Sequence, residues 1–174
     1  MAEHEWYQTL RAEWKPAHVR LLLIGESAPA ADADDLRFFY APVLTRADNL
    51  FRSVVGAVYE RPTLKAGEPK APWLTRLRDD GIYLIDLAPY PVNHLGSGER
   101  RRVLRENAPA CVAAAGALEP EGIVVCHGPS FEILCQPLRA AGLPLLHEDR
   151  IPFPLGNTRA EFIEKFQRAL TRMA

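Results

Sequence analysis

With 174 residues, 48% of them hydrophobic and 25% charged, the chain fits one globular domain able to bury its own core. Its formal net charge of -1 argues against a protein that coats nucleic acid at large, while leaving room for a local basic face. Cys111, Cys126 and Cys135 are irregularly spaced and form no CxxC pair. They point to a reducing cytoplasm, not to a disulfide framework or a zinc or iron–sulfur site, and no cofactor is expected. No basic stretch followed by an apolar one opens the sequence, so no signal peptide is expected. No apolar run approaches the roughly 20 residues that cross a bilayer.

Residues 6–14 read as a short helix with Trp6, Leu10 and Trp14 on one side. The apolar run over 19–24, ending at Gly25, is the pattern of a strand buried on both faces, at the centre of a parallel sheet. Residues 28–35 form a breaker-rich loop. Residues 49–60 are helical, with Leu50, Val54 and Val58 four apart. A loop over 62–72 leads to a short helix over 72–80 that starts on a proline. A second strand covers 81–87 and leaves the sheet at Pro89. A long helix over 99–118 is expected to bend or restart at Pro109, with Asn107 as a cap. A third strand covers 122–126. A helix over 130–141 is capped by Ser130 and stopped by Gly142. A short fourth strand covers 143–146, and a last helix runs over 159–173 with Phe162, Phe166 and Leu170 as its packing stripe.

Strands alternating with helices predict a single three-layer α/β domain, a four-stranded, mainly parallel sheet with helices on both faces. Ligands then bind beyond the carboxyl ends of the strands, in the loops after Ile24, Leu87, Cys126 and Leu146.

Several motifs fail on inspection. Gly25-Glu26-Ser27-Ala28-Pro29 contains Gly-x-Ser, but a nucleophile elbow needs a second glycine where Pro29 stands, so Ser27 is not a nucleophile. Gly96-Ser97-Gly98 lacks the third glycine and the preceding strand of a dinucleotide fingerprint. The five histidines show no metal spacing. Cys126 and His127 are strand neighbours and point to opposite faces, so they do not pair.

What remains is a set of strand-end residues. Glu26 can orient water or accept a proton, or can cap the segment after it. Within Phe38-Phe39-Tyr40, an aromatic ring can stack on a flat ligand or pack in the core. Asp86, inside an apolar strand, needs a task or a satisfied structural hydrogen bond. The run 127–130 reads as a turn and helix cap before it reads as a catalytic unit. Two basic clusters, Arg100 to Arg105 and Arg159 to Arg172, read first as solvated helix surface.

Taken in order, these residues resemble the uracil-DNA glycosylase superfamily over most of the chain, from Val19 to Arg168. The first-strand segment Leu-Leu-Ile-Gly-Glu-Ser-Ala-Pro is similar to the Gly-Glu-Ala-Pro-Gly motif of the iron–sulfur branch. Phe39-Tyr40-Ala41-Pro42 and Asn49-Leu50-Phe51-Arg52 are similar to the Phe-Ala-x-Pro…Asn-x-Phe-Trp stretch of the mismatch-specific branch. The second strand resembles the one whose Asn reads the uracil edge, with Asp86 in that place. Ile151-Pro152-Phe153-Pro154-Leu155 resembles the His-Pro-Ser-Pro-Leu motif, with Ile151 at the His and Phe153 at the Ser. The cysteines of the iron–sulfur branch are missing.

The resemblance implies a monomeric DNA base-excision glycosylase that flips and removes a damaged or deaminated base, uracil or a related one. Glu26 is then catalytic, with Gly25, Ser27, Phe39, Tyr40 and Asp86 around the base. Pro152, Pro154, Asn157 and Arg159 contact the DNA backbone. The alternative is a DNA- or nucleobase-binding member of the same fold that has lost catalysis, as Ile151 suggests. A third reading, a small-molecule hydrolase in the same cleft, has the near-neutral charge as its support.

Overall fold

The apolar run that ends at Gly25 lies where its composition puts it. In a computed structural model, which describes residues 5–30 and 37–173, β1 (Leu21–Gly25) runs between β2 (Ile82–Asp86) and β3 (Gly122–Val125), all parallel. Successive residues of a strand point to opposite faces. Leu22, Leu23 and Ile24 are all fully buried, so the sheet is covered on both sides at β1. Gly25 pairs with Asp86 and Ile24 with Val125, which brings the three carboxyl ends level. The order β2-β1-β3 makes the gap between β1 and β3 the place where the winding reverses.

Among the described residues six helices pack around this sheet: α1 (Glu5–Glu13), α2 (Asn49–Val58), α3 (Ala71–Asp79), α4 (Ser97–Ala117), α5 (Gly128–Ala140) and α6 (Arg159–Leu170). α2 packs on α6 and α4 on α5. Among the described residues no helix is long and apolar enough to cross a membrane. The loop expected over 28–35 lies in part outside the described residues.

Some local expectations are corrected. The fourth strand is a single parallel bridge between Ile123 and Leu145, so the sheet has three strands, not four. Pro144 has no N–H to donate, and the Leu143 N–H is already used on Leu138 at the end of α5, so little is left to extend a ladder. α4 runs through Pro109 without restarting. Pro109 is exposed, and the carbonyl it deprives of a donor belongs to exposed Arg105, where water can reach it. Asn107 is not a cap; its amide donates to the Val103 carbonyl one turn back and to Tyr90 Oη. The cap of α5 is His127, not Ser130: the imidazole accepts from the Ser130 N–H.

Both edge strands have a free N–H taken by a side chain. Tyr40 Oη accepts from Leu84 N–H at 2.7 Å, and His147 Nε2 accepts from Val125 N–H at 3.0 Å while Nδ1–H donates to the Asp149 carbonyl. Tyr40 is therefore a buried edge cap on β2, and its ring does not line the cavity described below. Its expected place around a bound base is not where the structure puts it. Tyr40→Phe strands a buried donor and is expected to cost about 1–3 kcal/mol, read as a lower urea midpoint. An unchanged midpoint would show that the bond contributes nothing.

Candidate functional site

The strand ends open onto a cavity of about 340 Å³. Its walls include Gly25, Glu26, Ser27, Phe39 and Asp86, joined by Asn49, Arg100, His127, Phe153 and Leu155. Pairing that continues past the strands fixes its floor. Leu87 N–H donates to the Gly25 carbonyl, Ala88 N–H to the Glu26 carbonyl, and Cys126 N–H to Ile24. Glu26 is thus held by the backbone on the β2 side, while its side chain is free to point into the cleft.

Across the gap between β1 and β3, Glu26 Oε2 lies 3.1 Å from His127 Nε2, each side chain 16% exposed. The cap of α5 sets the imidazole's tautomer. Nδ1 accepts from the Ser130 N–H and has the Ser130 hydroxyl 2.7 Å away, so in the neutral ring the proton sits on Nε2, the nitrogen that faces Glu26. Burial, then the Arg100 and Arg150 guanidiniums, push His127 down to about 4. Burial pushes Glu26 up from its ordinary value; Arg100 pulls it down and the Asp86 charge pushes it up. At neutral pH the imidazole is uncharged beside the Glu26 carboxyl, whose Oε1 has no hydrogen-bond partner among the described residues.

The depressed imidazole ties stability to pH. The unfolded chain protonates His127 near its ordinary 6.5, whereas the folded chain does so only at about 4. Between these values the unfolded state binds more protons, so stability is lost as pH falls from 6.5 towards 4. Glu26, raised in the fold, works in the opposite sense just above its ordinary value. His127→Asn keeps a capping acceptor and removes the titration. Urea midpoints at pH 6.5 and pH 4 should differ more in the wild type than in this variant, by on the order of 2–3 kcal/mol. Equal slopes would exclude His127 as their source.

Asp86 faces the same cavity from β2. Arg11 Nη2 of α1 donates to its Oδ2 at 2.7 Å, while Oδ1 leans over Gly25. A Cβ at Gly25 would stand 2.7 Å from that oxygen, so any larger residue there would have to displace the carboxylate. The Asp86 carboxyl is raised from its ordinary value, because burial pushes it up by more than the Arg11 guanidinium pulls it down. Phe39 is buried, edge-on to Tyr40 and Phe51, and also lines the cavity. The buried Lys70 holds its backbone in place, donating to the Phe38 and Phe39 carbonyls and to Asp48. Ser27 Oγ is buried and finds no hydrogen-bond partner among the described residues.

The segment before α6 is arranged differently from expectation. Phe153 and Leu155 line the cavity; Pro154 is buried, so it presents little surface to a DNA backbone. Pro152 is half-buried, and Asn157 and Arg159 are exposed. Thr158 Oγ1 accepts from the Leu155 N–H and holds Leu155, 51% exposed, at the rim. Ile151, at the resemblance's His position, is buried.

Half of the two basic clusters is ion-paired surface: Arg101 with Glu132, Arg102 with Glu99 and Glu106, Lys165 with Glu161, Arg168 with Glu164. Arg100 is arranged otherwise. It donates to the carbonyls of Val92, Asn93 and Leu95 and lines the cavity. A second cavity of about 330 Å³ adjoins the first and shares Glu26, Arg100 and His127 with it. Among the described residues no group of three or more His, Cys, Asp or Glu could hold a metal ion.

Compared with protein-family models and with curated proteins, the chain gives no match. The geometry therefore carries the functional reading. Arg11, Lys70 and His127 are the residues that the motifs did not single out as parts of the site. Only His127 left a signal, its position directly after a strand.

Proposed function

We propose that the protein is a DNA base-excision glycosylase, which turns a modified base out of the duplex into the cavity beside Glu26 and hydrolyses its N-glycosidic bond. One observation carries this reading. Glu26, Phe39 and Asp86 come from three separate segments, and all three line one cavity at the carboxyl end of the sheet. Those are the residues to which the resemblance gives the roles of activating water, stacking the base and reading its edge. The order of the motifs supports a uracil-DNA glycosylase-like form of the α/β fold.

The chemistry follows from the protonation states. Glu26 Oε1 takes a proton from water as the water oxygen adds to the sugar C1′. The C–N electron pair leaves with the base, which then takes a proton from solvent. His127 Nε2 stands 3.1 Å from Oε2 and limits how far the carboxylate can swing on that side. The adjoining cavity gives water a way to Glu26 while a base fills the first. Leu155, apolar and exposed at the rim, suits the gap a departing base leaves in the stack. Arg37 and Arg100 at the cavity suit DNA phosphates. No cofactor enters the scheme, one chain supplies every group, and three free thiols suit a reducing cytoplasm.

A second reading, a DNA- or nucleobase-binding protein without catalysis, is favoured by Ile151, whose buried side chain offers no donor to a leaving base. A single-turnover assay separates the two. Oligonucleotides carry uracil, hypoxanthine, xanthine, an alkylated base or a mismatch, with protein in excess. An abasic product from any of them supports excision. Salt-sensitive binding that survives Glu26→Gln, with no abasic product, supports the second reading. Neither binding nor product on any substrate would sink both.

A further inference from the structure

Asp86 has one carboxylate oxygen committed and one available. Oδ2 receives Arg11 Nη2 at 2.7 Å, while Oδ1 leans over Gly25 at the cavity floor. Arg11 reaches it from α1, 75 residues away in the chain, with its guanidinium 5.7 Å from the centre of the Phe38 ring. A guanidinium does not give up its proton in a protein, so a permanent positive charge stands beside the carboxylate. The Asp86 side chain is 7% exposed and part of the cavity wall. What it offers a ligand is an acceptor fixed in place.

An ionised carboxylate can only accept. A base such as uracil presents carbonyl, N–H, carbonyl along its pairing edge. Its single donor is flanked by two oxygens, and a carbonyl set against Asp86 meets like partial charge. A base with an exocyclic amino group puts a donor there instead. We infer that the cavity selects a modified base bearing an exocyclic amino group over bases whose edge carries carbonyls alone, with Asp86 Oδ1 accepting from that group. Arg11 is the positioning residue that leaves only this oxygen free. The inference rests on the reading of the cavity as a pocket for a turned-out base.

In two pairs of free bases an exocyclic amino group is exchanged for a carbonyl, and the ring nitrogen beside it gains a hydrogen: cytosine with uracil, and adenine with hypoxanthine. Competition within each pair for the full-length protein, followed by ligand-observed NMR, reads the preference directly. The amino member is expected to bind about 10- to 100-fold better, because the carbonyl member leaves a buried acceptor opposed. Asp86→Asn restores a donor and should erase or invert the ratio. Arg11→Gln should shrink it by letting the carboxylate turn, a change in selectivity that a purely structural role would not produce. The wild-type ratio stands without either variant, should one fail to fold. A preference for the carbonyl member overturns the inference and leaves the base pocket intact. Binding of neither member overturns the inference together with the pocket.

Discussion

Glu26→Gln is expected to slow base excision about 100- to 10,000-fold while leaving DNA binding within a few-fold of the wild type. The substitution changes one oxygen to a nitrogen and little else. The introduced amide has the size of the carboxylate it replaces, and Ser130 keeps the imidazole in its place as the cap of α5. Only the capacity to take a proton from water is lost. The pH profile provides a second readout. The reactive form is the carboxylate, and burial raises its pKa above the ordinary 4.5. Excision by the wild type should therefore fall as pH drops through that raised value, at a pH higher than an exposed glutamate would give. The variant should lose this limb. An unchanged single-turnover rate in the variant would falsify the role of Glu26, wherever the base sits.

The central strand and the position of Glu26 at its end could be read locally, because a strand buried on both faces is apolar throughout, whereas the expected fourth strand proved to be a single bridge. The sequence 21–25 is apolar at every position and ends on the glycine that admits Asp86. The partners of these residues could not be read that way. His127 reaches Glu26 only because the order β2-β1-β3 puts the end of β3 beside that of β1, and strand order has no local signature. Its neighbours Gly128, Pro129 and Ser130 gave the helix start, and the imidazole itself proved to be the cap. Arg11 lies on a helix whose visible pattern is aromatic, so its pairing with Asp86 leaves no trace in periodicity. Tyr40 shows the opposite error. It shares a motif with Phe39, yet one ring faces the cavity and the next caps a strand edge. Neighbouring residues in a turn diverge, and a motif does not say which of them faces the ligand.

Asp48→Ala should be the most destabilising substitution near the site, costing about 3–5 kcal/mol, a large part of the stability of an ordinary domain. Lys70 looks like a loop lysine in the sequence, at the end of a proline-flanked stretch, yet both it and Asp48 are fully buried. Asp48 Oδ1 accepts from Lys70 Nζ at 2.8 Å, and its Oδ2 accepts from the Thr45 N–H and hydroxyl. Lys70 lies over the Phe51 ring and ties the Phe38 and Phe39 carbonyls to the start of α2. Burial already lowers the pKa of Lys70. Without Asp48 the ammonium is left uncompensated, and it either stays charged at high cost or gives up its proton. Either outcome weakens its hold on the Phe39 backbone, so base binding should fall together with the urea midpoint. Asp48→Ala combined with Lys70→Met removes both charges and should recover part of the stability. Base binding should stay weak, because the Phe38 and Phe39 carbonyls then lose their shared donor. That split between recovered stability and unrecovered binding separates a positioning role for Lys70 from a merely structural one. A loss below about 1 kcal/mol for Asp48→Ala would mean that the pair does not hold this segment.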